Sequence, residues 1–258
     1  MSTIRHHYTQ DDLSDAIRQS GIEIGDVVSL QVSLGLLGLP EGATTYDQVA
    51  NLVIDSFLDA LSPTGTLIVP AYTYSIGKGE PFEVETTSSG IGPFPDIFRR
   101  RPESVRSRDP MLSSVGIGPH SNAILRNISN SCYGEGSTYH RLREHGAKIC
   151  TLGISIYWAT YRHYIEEMAE VPFRFRKEFS GTIIENGEAS QETWTYFAAP
   201  LGVDNCSPNG LPLEKLMRES GLVRVAKVGR GELNCSDAGH FHDFGVEQLR
   251  LNPWLTAK

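Results

Sequence analysis

Apolar residues recur along this chain at two spacings, one helical and one extended, and together they divide it into alternating helices and strands. The first helix is expected over 10–19, with Thr9 as N-cap, Asp11 and Asp12 in the first turn and Gly21 as the stop. A turn at Gly25-Asp26 leads into VVSLQVS (27–33), whose β-branched residues predict a strand. The next helix starts at Thr45, where T-Y-D-Q supplies a capping box closed by Gln48. Its stripe of Val49, Leu52, Val53, Phe57, Leu58 and Leu61 has helical spacing. Ser62-Pro63-Thr64-Gly65 ends it, and TLIVPAY (66–72) follows as a buried strand. Strand, helix and strand in this order predict a right-handed crossover onto a parallel sheet.

The same patterning places a short helix near Phe94–Arg100, strands at SSVGIG (113–118) and KICTLGI (148–154), and a helix at 138–145 behind the N-cap Ser137. The span 157–170 is expected to be helical. After Pro172 the period changes: GTIIENGEASQETWTYFA (181–198) alternates around Asn186-Gly187, a hairpin signal. A helix at 211–220 and a strand near 222–228 complete the pattern. No repeat or low-complexity linker interrupts it. The expectation is one α/β domain spanning 1–258, with a central mixed, largely parallel sheet flanked by helices and an antiparallel β extension in the C-terminal third.

Composition narrows the function classes. Hydrophobic residues at 40% and charged residues at 21% are ordinary globular values. The formal charge of −8 argues against a nucleic-acid partner. The four cysteines, Cys132, Cys150, Cys206 and Cys235, form no C-x-x-C pair, so reduced thiols are expected rather than a disulfide framework or zinc knuckle. The opening MSTIRHHYTQDD has no apolar core and no run of 18 apolar residues occurs, which points to a cytoplasmic protein without a membrane partner. A homodimer is compatible with the sequence.

Five segments can carry chemistry. In Tyr161-Arg162-His163-Tyr164-Ile165-Glu166, His163 and Glu166 are three residues apart on one helix face, away from the stripe Tyr157, Tyr161, Tyr164, Ile165 and Met168. A carboxylate so placed can fix an imidazole tautomer for general-base work; a solvated surface pair explains the spacing equally. Ser33-Leu34-Gly35-Leu36-Leu37-Gly38 is a small-residue loop whose N–H groups can cradle a pyrophosphate, or simply join a strand to a helix. Five arginines within 99–108 form the basic cluster of an acidic chain, suited to phosphate or to a solvated helix end. Cys132-Tyr133-Gly134-Glu135-Gly136-Ser137 offers Glu135 beside a helix start. In Gly239-His240-Phe241-His242-Asp243, strand geometry would put two histidines on one face, but further ligands of suitable spacing are missing and no metal is expected. There is no G-x-S-x-G and no cysteine with a convincing histidine partner, which sets a hydrolase aside.

In order along the chain, these segments resemble the aminoglycoside 3-N-acetyltransferase family. The likeness runs from Gly25 to about Gly181 and weakly to Pro253-Trp254-Leu255. Val32-Ser33-Leu34 is similar to the end of the family's H-x-S-L strand, and Pro63-Thr64-Gly65-Thr66-Leu67 to its G-P-x-G-T-L. Pro81-Phe82 with Thr86-Thr87-Ser88-Ser89 resembles a further loop of the family. Arg106-Ser107 with Asp109-Pro110 looks like R-S-x-H-P, and Tyr133-Gly134-Glu135-Gly136-Ser137 like Y-G-x-G-S. Leu152-Gly153, Thr160 and His163-x-x-Glu166 correspond to L-G…T-x-x-H-x-A-E. The departures are Gln31 and Asp109 for histidines, Glu83 for an aspartate and Ile165 for an alanine.

The resemblance implies an enzyme with acetyl-CoA as donor, bound by Ser33, Leu34 and Gly35 and by Arg106, Ser107 and Ser113. It implies His163, supported by Glu166, as the base that deprotonates an acceptor amine, with Tyr72, Glu83, Asp109 and Glu135 toward the acceptor. The acceptor is then a small-molecule amine: an aminoglycoside, or a nucleotide-linked amino sugar or other biosynthetic amine. A non-catalytic CoA-binding protein on the same fold is the alternative outside enzymes.

Overall fold

The computed structural model describes residues 6–258. The first five residues, part of the opening stretch read above as lacking an apolar core, lie outside them. In chain order the elements are α1 (Gln10–Gln19), β1 (Val27–Val32), α2 (Tyr46–Leu61), β2 (Thr66–Pro70), β3 (Phe82–Glu83), α3 (Pro93–Arg99), β4 (Val105–Arg106) and β5 (Ser114–Ile117). Then come α4 (Ser121–Leu125), α5 (Thr138–Glu144), β6 (Lys148–Leu152), α6 (Tyr161–Met168), β7 (Phe175–Glu185) and β8 (Glu188–Ala198). The chain closes with α7 (Leu211–Glu219), β9 (Arg224–Val228), β10 (Gly231–Asp237) and α8 (Ala238–Leu251).

Local chemistry accounts for the helix starts. The Thr9 and Thr45 side chains each accept from the backbone three residues on, and Asp12 and Gln48 reach back to close capping boxes on α1 and α2. Ser137 accepts from the His140 N–H at the start of α5. The Asn186-Gly187 turn has φ of 52° and 79°, the left-handed pair that a tight hairpin demands, and it joins two eleven-residue strands.

The main sheet has the order β4-β5-β2-β1-β6-β10-β9. It is mixed, as expected, but parallel only at its centre: β1 pairs parallel with β2 and β6, and the other pairings are antiparallel. Alternation along β1 sends Val27 into one apolar cluster and Val28 and Leu30 into another. Thus α1, α2 and α3 cover one face of the sheet while α5, α6, α7 and α8 cover the other. The antiparallel β7–β8 hairpin, the expected extension, pairs in parallel with β3 to make a second, three-stranded sheet. β10 and α8 were not anticipated from the pattern. The His240-Phe241-His242-Asp243 segment is therefore helical, not extended, and residues two apart point to different sides, so the shared-face geometry considered for a metal does not arise. Among the described residues no three His, Cys, Asp or Glu side chains are grouped to hold a metal ion. No helix among them is long and apolar enough to cross a membrane. All four cysteines are buried and free.

Because β2, β1 and β6 run parallel, their carboxyl ends share one edge of the sheet. The chain goes from β1 to β2 on one side and returns to β1's other side with β6, and at such a reversal of strand order a crevice opens beyond the carboxyl ends. Gln31 near the end of β1, and Ser33 and Gly153 one residue beyond β1 and β6, stand at that edge. Gly153 needs to be glycine: its φ is 80°, and a Cβ would lie 2.4 Å from the Ser33 carbonyl oxygen.

Candidate active site

The segment after β6 carries the site. A single 3-10 turn, Ile156–Trp158, precedes α6, so the helix is shorter than the span 157–170 expected from sequence. Gln31 pins this approach. Its Nε2 donates to the Trp158 carbonyl at 3.1 Å, and its Oε1 accepts from the Thr160 N–H and hydroxyl, each at 3.3 Å. The residue that stands where the resembled family has a histidine thus ties the end of β1 to the first turn of α6.

His163 and Glu166 do sit together, but not on a solvated face. Glu166 is fully buried and His163 keeps 19% of its side-chain surface. The solvated-pair alternative and the off-core placement are both overturned, because α6 is covered on nearly all sides: Tyr161, Arg162, Tyr164, Ile165, Glu166 and Glu167 are all buried. Nδ1 of His163 lies 2.7 Å from Glu166 Oε2. Arg162, one turn earlier, donates to Glu166 Oε1. Arg174, just before β7, places Nε 2.7 Å from Glu166 Oε2 and Nη2 2.8 Å from His163 Nδ1, while its Nη1 donates to the Phe197 carbonyl at 3.0 Å. Tyr133 meets the imidazole edge-on at 5.6 Å. The hydrogen bonds joining Cys132 N–H to the Thr195 carbonyl and Thr195 N–H to the Asn130 carbonyl, both 2.9 Å, hold Tyr133 there.

Charge in this cluster decides protonation. Burial raises the Glu166 carboxyl pKa, but His163, Arg162 and Arg174 overcome it and hold the group well below the ordinary carboxylate range. Burial also lowers the His163 pKa, Arg162 and Arg174 lower it further, and Glu166 only partly opposes them, leaving it at about 4. The imidazole is therefore neutral at pH 7. Nδ1 faces both the Glu166 carboxylate, which can only accept, and Arg174 Nη2, which can only donate; donation to the carboxylate is the tautomer that leaves the lone pair on Nε2.

His163 opens on a cleft of about 610 Å³ between the β7–β8 hairpin and the loop 199–208, floored by Tyr74 and Met111. A neutral imidazole whose Nδ1 lies against an ionised carboxylate and which lines a cleft has the arrangement that general-base chemistry requires. Residues 41–250 match the aminoglycoside 3-N-acetyltransferase family. The chain belongs to that family, and it is an N-acyltransferase.

Aminoglycoside N(3)-acetyltransferase III from Salmonella is 25% identical over 267 residues, covering 94% of this chain and 91% of that protein. The crystal structure of aminoglycoside acetyltransferase AAC(3)-Xa superposes with a TM-score of 0.79 at 25% identity, over 94% of this chain and 92% of that one. AAC-IIIb, in binary complex with CoASH, gives 0.81 at 20% identity over 95% and 97% of the two chains, a likeness of fold.

Among residues the family resemblance implicates, the fold assigns several to architecture. The Arg106 guanidinium is buried and gives its hydrogen bonds to the Ala71, Val84 and Thr87 carbonyls and the Ser113 hydroxyl. Ser113 in turn donates to the Ala71 carbonyl, and the Ser107 hydroxyl accepts the Ser114 N–H. Arg106, Ser107 and Ser113 are thus occupied in holding the 84–87 loop to β2 and β5, and Arg106 has no fork left for a phosphate. Ser33 stands at the crevice with its N–H on the Leu152 carbonyl, Leu34 is buried, and Gly35 is exposed. Tyr72 is buried with its hydroxyl 2.5 Å from that of Tyr139, so it is Tyr74, two residues on, that reaches the cleft. Asp109 is buried, accepts the Met111 and Leu112 N–H groups, and has its carboxyl pKa pushed up to about 6 by that burial. Glu83 accepts the Thr86 hydroxyl, and Glu135 is exposed on its turn. Arg162 was missed in the sequence, although its position four residues before Glu166 is a signal that could have shown it; Arg174 left no such mark.

Proposed function

We propose that the protein transfers the acetyl group of acetyl-CoA directly to a primary amine of an aminoglycoside or amino-sugar-type small molecule, with His163 as general base. The observation that carries this reading is the Glu166–His163 contact at 2.7 Å, which engages Nδ1 of a histidine that lines the cleft and leaves its Nε2 free. The binding of CoASH by a protein of the same fold supports the donor, with Ser33, Leu34 and Gly35 at the carboxyl-end crevice as its expected contacts.

In the reaction the amine nitrogen bonds to the thioester carbonyl carbon, and the nitrogen becomes strongly acidic as it does so. His163 Nε2 takes that proton; the C–S bond breaks, and the proton passes from the imidazolium to the departing sulfur, which leaves as CoASH and returns His163 to its neutral form. A base of low pKa suffices for this transfer, because the donor is the tetrahedral adduct and not the free ammonium. Glu166 stabilises the transient imidazolium. No acyl-enzyme forms, so no cysteine is needed. The free amine must arrive unprotonated. The acid limb of kcat/KM therefore follows the acceptor's own ammonium pKa and moves from acceptor to acceptor. A limb fixed near 6.5 for all acceptors would contradict the low titration of His163. Amine-dependent release of free CoA across a panel of amines tests the activity itself; absence of release with every amine would sink the reading.

A further inference from the structure

We propose that the acceptor is an amino sugar bearing an anionic group, a phosphate or a carboxylate, which Lys177 holds at the rim of the His163 cleft. This rests on the reading of His163 as the base of an N-acetyl transfer, and it concerns which amine is served.

The wall facing His163 is one side of the β7–β8 hairpin. Alternation along β7 brings Phe175, Lys177 and Phe179 to that side and turns Arg176 and Glu178 away. Directly across, Tyr196 pairs with Lys177 and Ala198 with Phe175. The Lys177 ammonium lies over the Phe179 ring at 4.8 Å from its centre and has no carboxylate partner among the described residues. Among the described residues lining this cleft there is no Asp or Glu, although the chain as a whole carries a formal charge of −8. The nearby acids are spent elsewhere. Glu166 is sealed beneath His163 with two arginines, Asp109 is buried, and Glu167 pairs with Arg176 on the far side of the strand. Asp204, on the loop opposite, lines the neighbouring depression with Lys258.

A polycationic acceptor would enter such a cleft against Lys177 with nothing to pair its other ammonium groups, so like charge rejects it. An anionic substituent beside the reacting amine gains a charge-assisted contact with Lys177 instead. The rings of Phe175, which is 47% exposed, and Phe179 provide an apolar platform for the sugar or an attached base.

The test measures thiol release from acetyl-CoA with glucosamine, glucosamine 6-phosphate, a uridine-diphosphate-linked amino sugar, an amino-uronic acid and the polycation kanamycin. At least one anionic acceptor is expected to exceed both glucosamine and kanamycin about tenfold or more in kcat/KM, and the phosphate and carboxylate arms tell which anion is recognised. Lys177→Ala should raise the KM of that acceptor about tenfold with kcat and the KM for acetyl-CoA unchanged, and Lys177→Arg should restore it. Kanamycin serving as well or better, no anionic acceptor turning over, or Lys177→Ala weakening acetyl-CoA instead would each overturn the proposal. His163→Ala, run in parallel, separates the two readings: activity surviving there refutes the base and leaves the ranking of acceptors to be judged on its own.

Discussion

The protonation states at the site follow from four side chains. Glu166 is ionised because two guanidinium groups and an imidazole surround it, and His163 is neutral because it is buried beside the same cations. Replacing Glu166 by Ala leaves Arg162 and Arg174 facing one another without a counter-charge. Loss of one partner of a buried ionic group costs about 3–5 kcal/mol, and thermal denaturation of the variant should show a fall in Tm on the order of 10 °C. Glu166→Gln keeps the shape, so it should fold better yet lose most of its kcat, with the KM for acetyl-CoA unmoved. The His163 pair was legible at its i, i+3 spacing; its burial was not, because Arg174 and Tyr133 come from distant segments that no local pattern links to α6. The pH dependence of stability has opposing parts. His163 binds its proton less readily folded than unfolded, so between about 6.5 and 4 the native state loses stability as pH falls. Glu166 acts in the same direction at lower pH. Asp109, raised to about 6, acts the other way: stability falls as pH rises through its window, by roughly 3 kcal/mol in all. Denaturant melts at pH 5 and pH 7.5 should therefore show Asp109→Asn more stable relative to wild type at the higher pH than at the lower.

Elements bounded by side-chain caps and tight turns were the legible ones. Thr9 and Thr45 begin helices where their hydroxyls and the acidic or amide group three residues on predict, and Asn186-Gly187 turns the hairpin. The cleft wall depends on that turn. Gly187 has φ of 79°, which costs a β-branched residue about 1–2 kcal/mol. Gly187→Val should therefore lower the free energy of unfolding, read from denaturant melts, by that amount, and an unchanged value would show the turn relaxes elsewhere. α8 was not legible. Its His-Phe-His run has an alternating look, while the helical register of Phe241, Gly245, Val246 and Leu249 is spread over a glycine and a single aromatic, and the Asp237 cap is easily taken for a loop residue. At the other end of the site, α6 is short because Gln31 and Trp158 hold the preceding residues in a 3-10 turn, a tertiary constraint that propensity does not contain.

For the molecule as a whole, the crossover from β1 through α2 to β2 was foreseeable, but the strand order was not. Which strand lies beside β1 on its other face of pairing depends on β6, more than a hundred residues later, and the antiparallel flanks β5 and β10 complete a sheet that is parallel only in the middle. That order matters to function because it sets the carboxyl ends of β1 and β6 side by side and lets Gln31 fix the entry to α6. The basic run at 99–108 shows the converse: the fold uses Arg106 to secure a loop and pairs Arg108 with Glu185 and Glu192, so these two members of a cluster that suggested phosphate binding are already engaged. The role of His163 as proton acceptor is tested most directly by steady-state acetyl transfer by His163→Ala together with the equilibrium binding of acetyl-CoA to the same variant. The expected result is kcat lowered by about 100-fold or more with acetyl-CoA binding unchanged, in the range general-base catalysis contributes. An unchanged kcat in a folded variant would contradict that role.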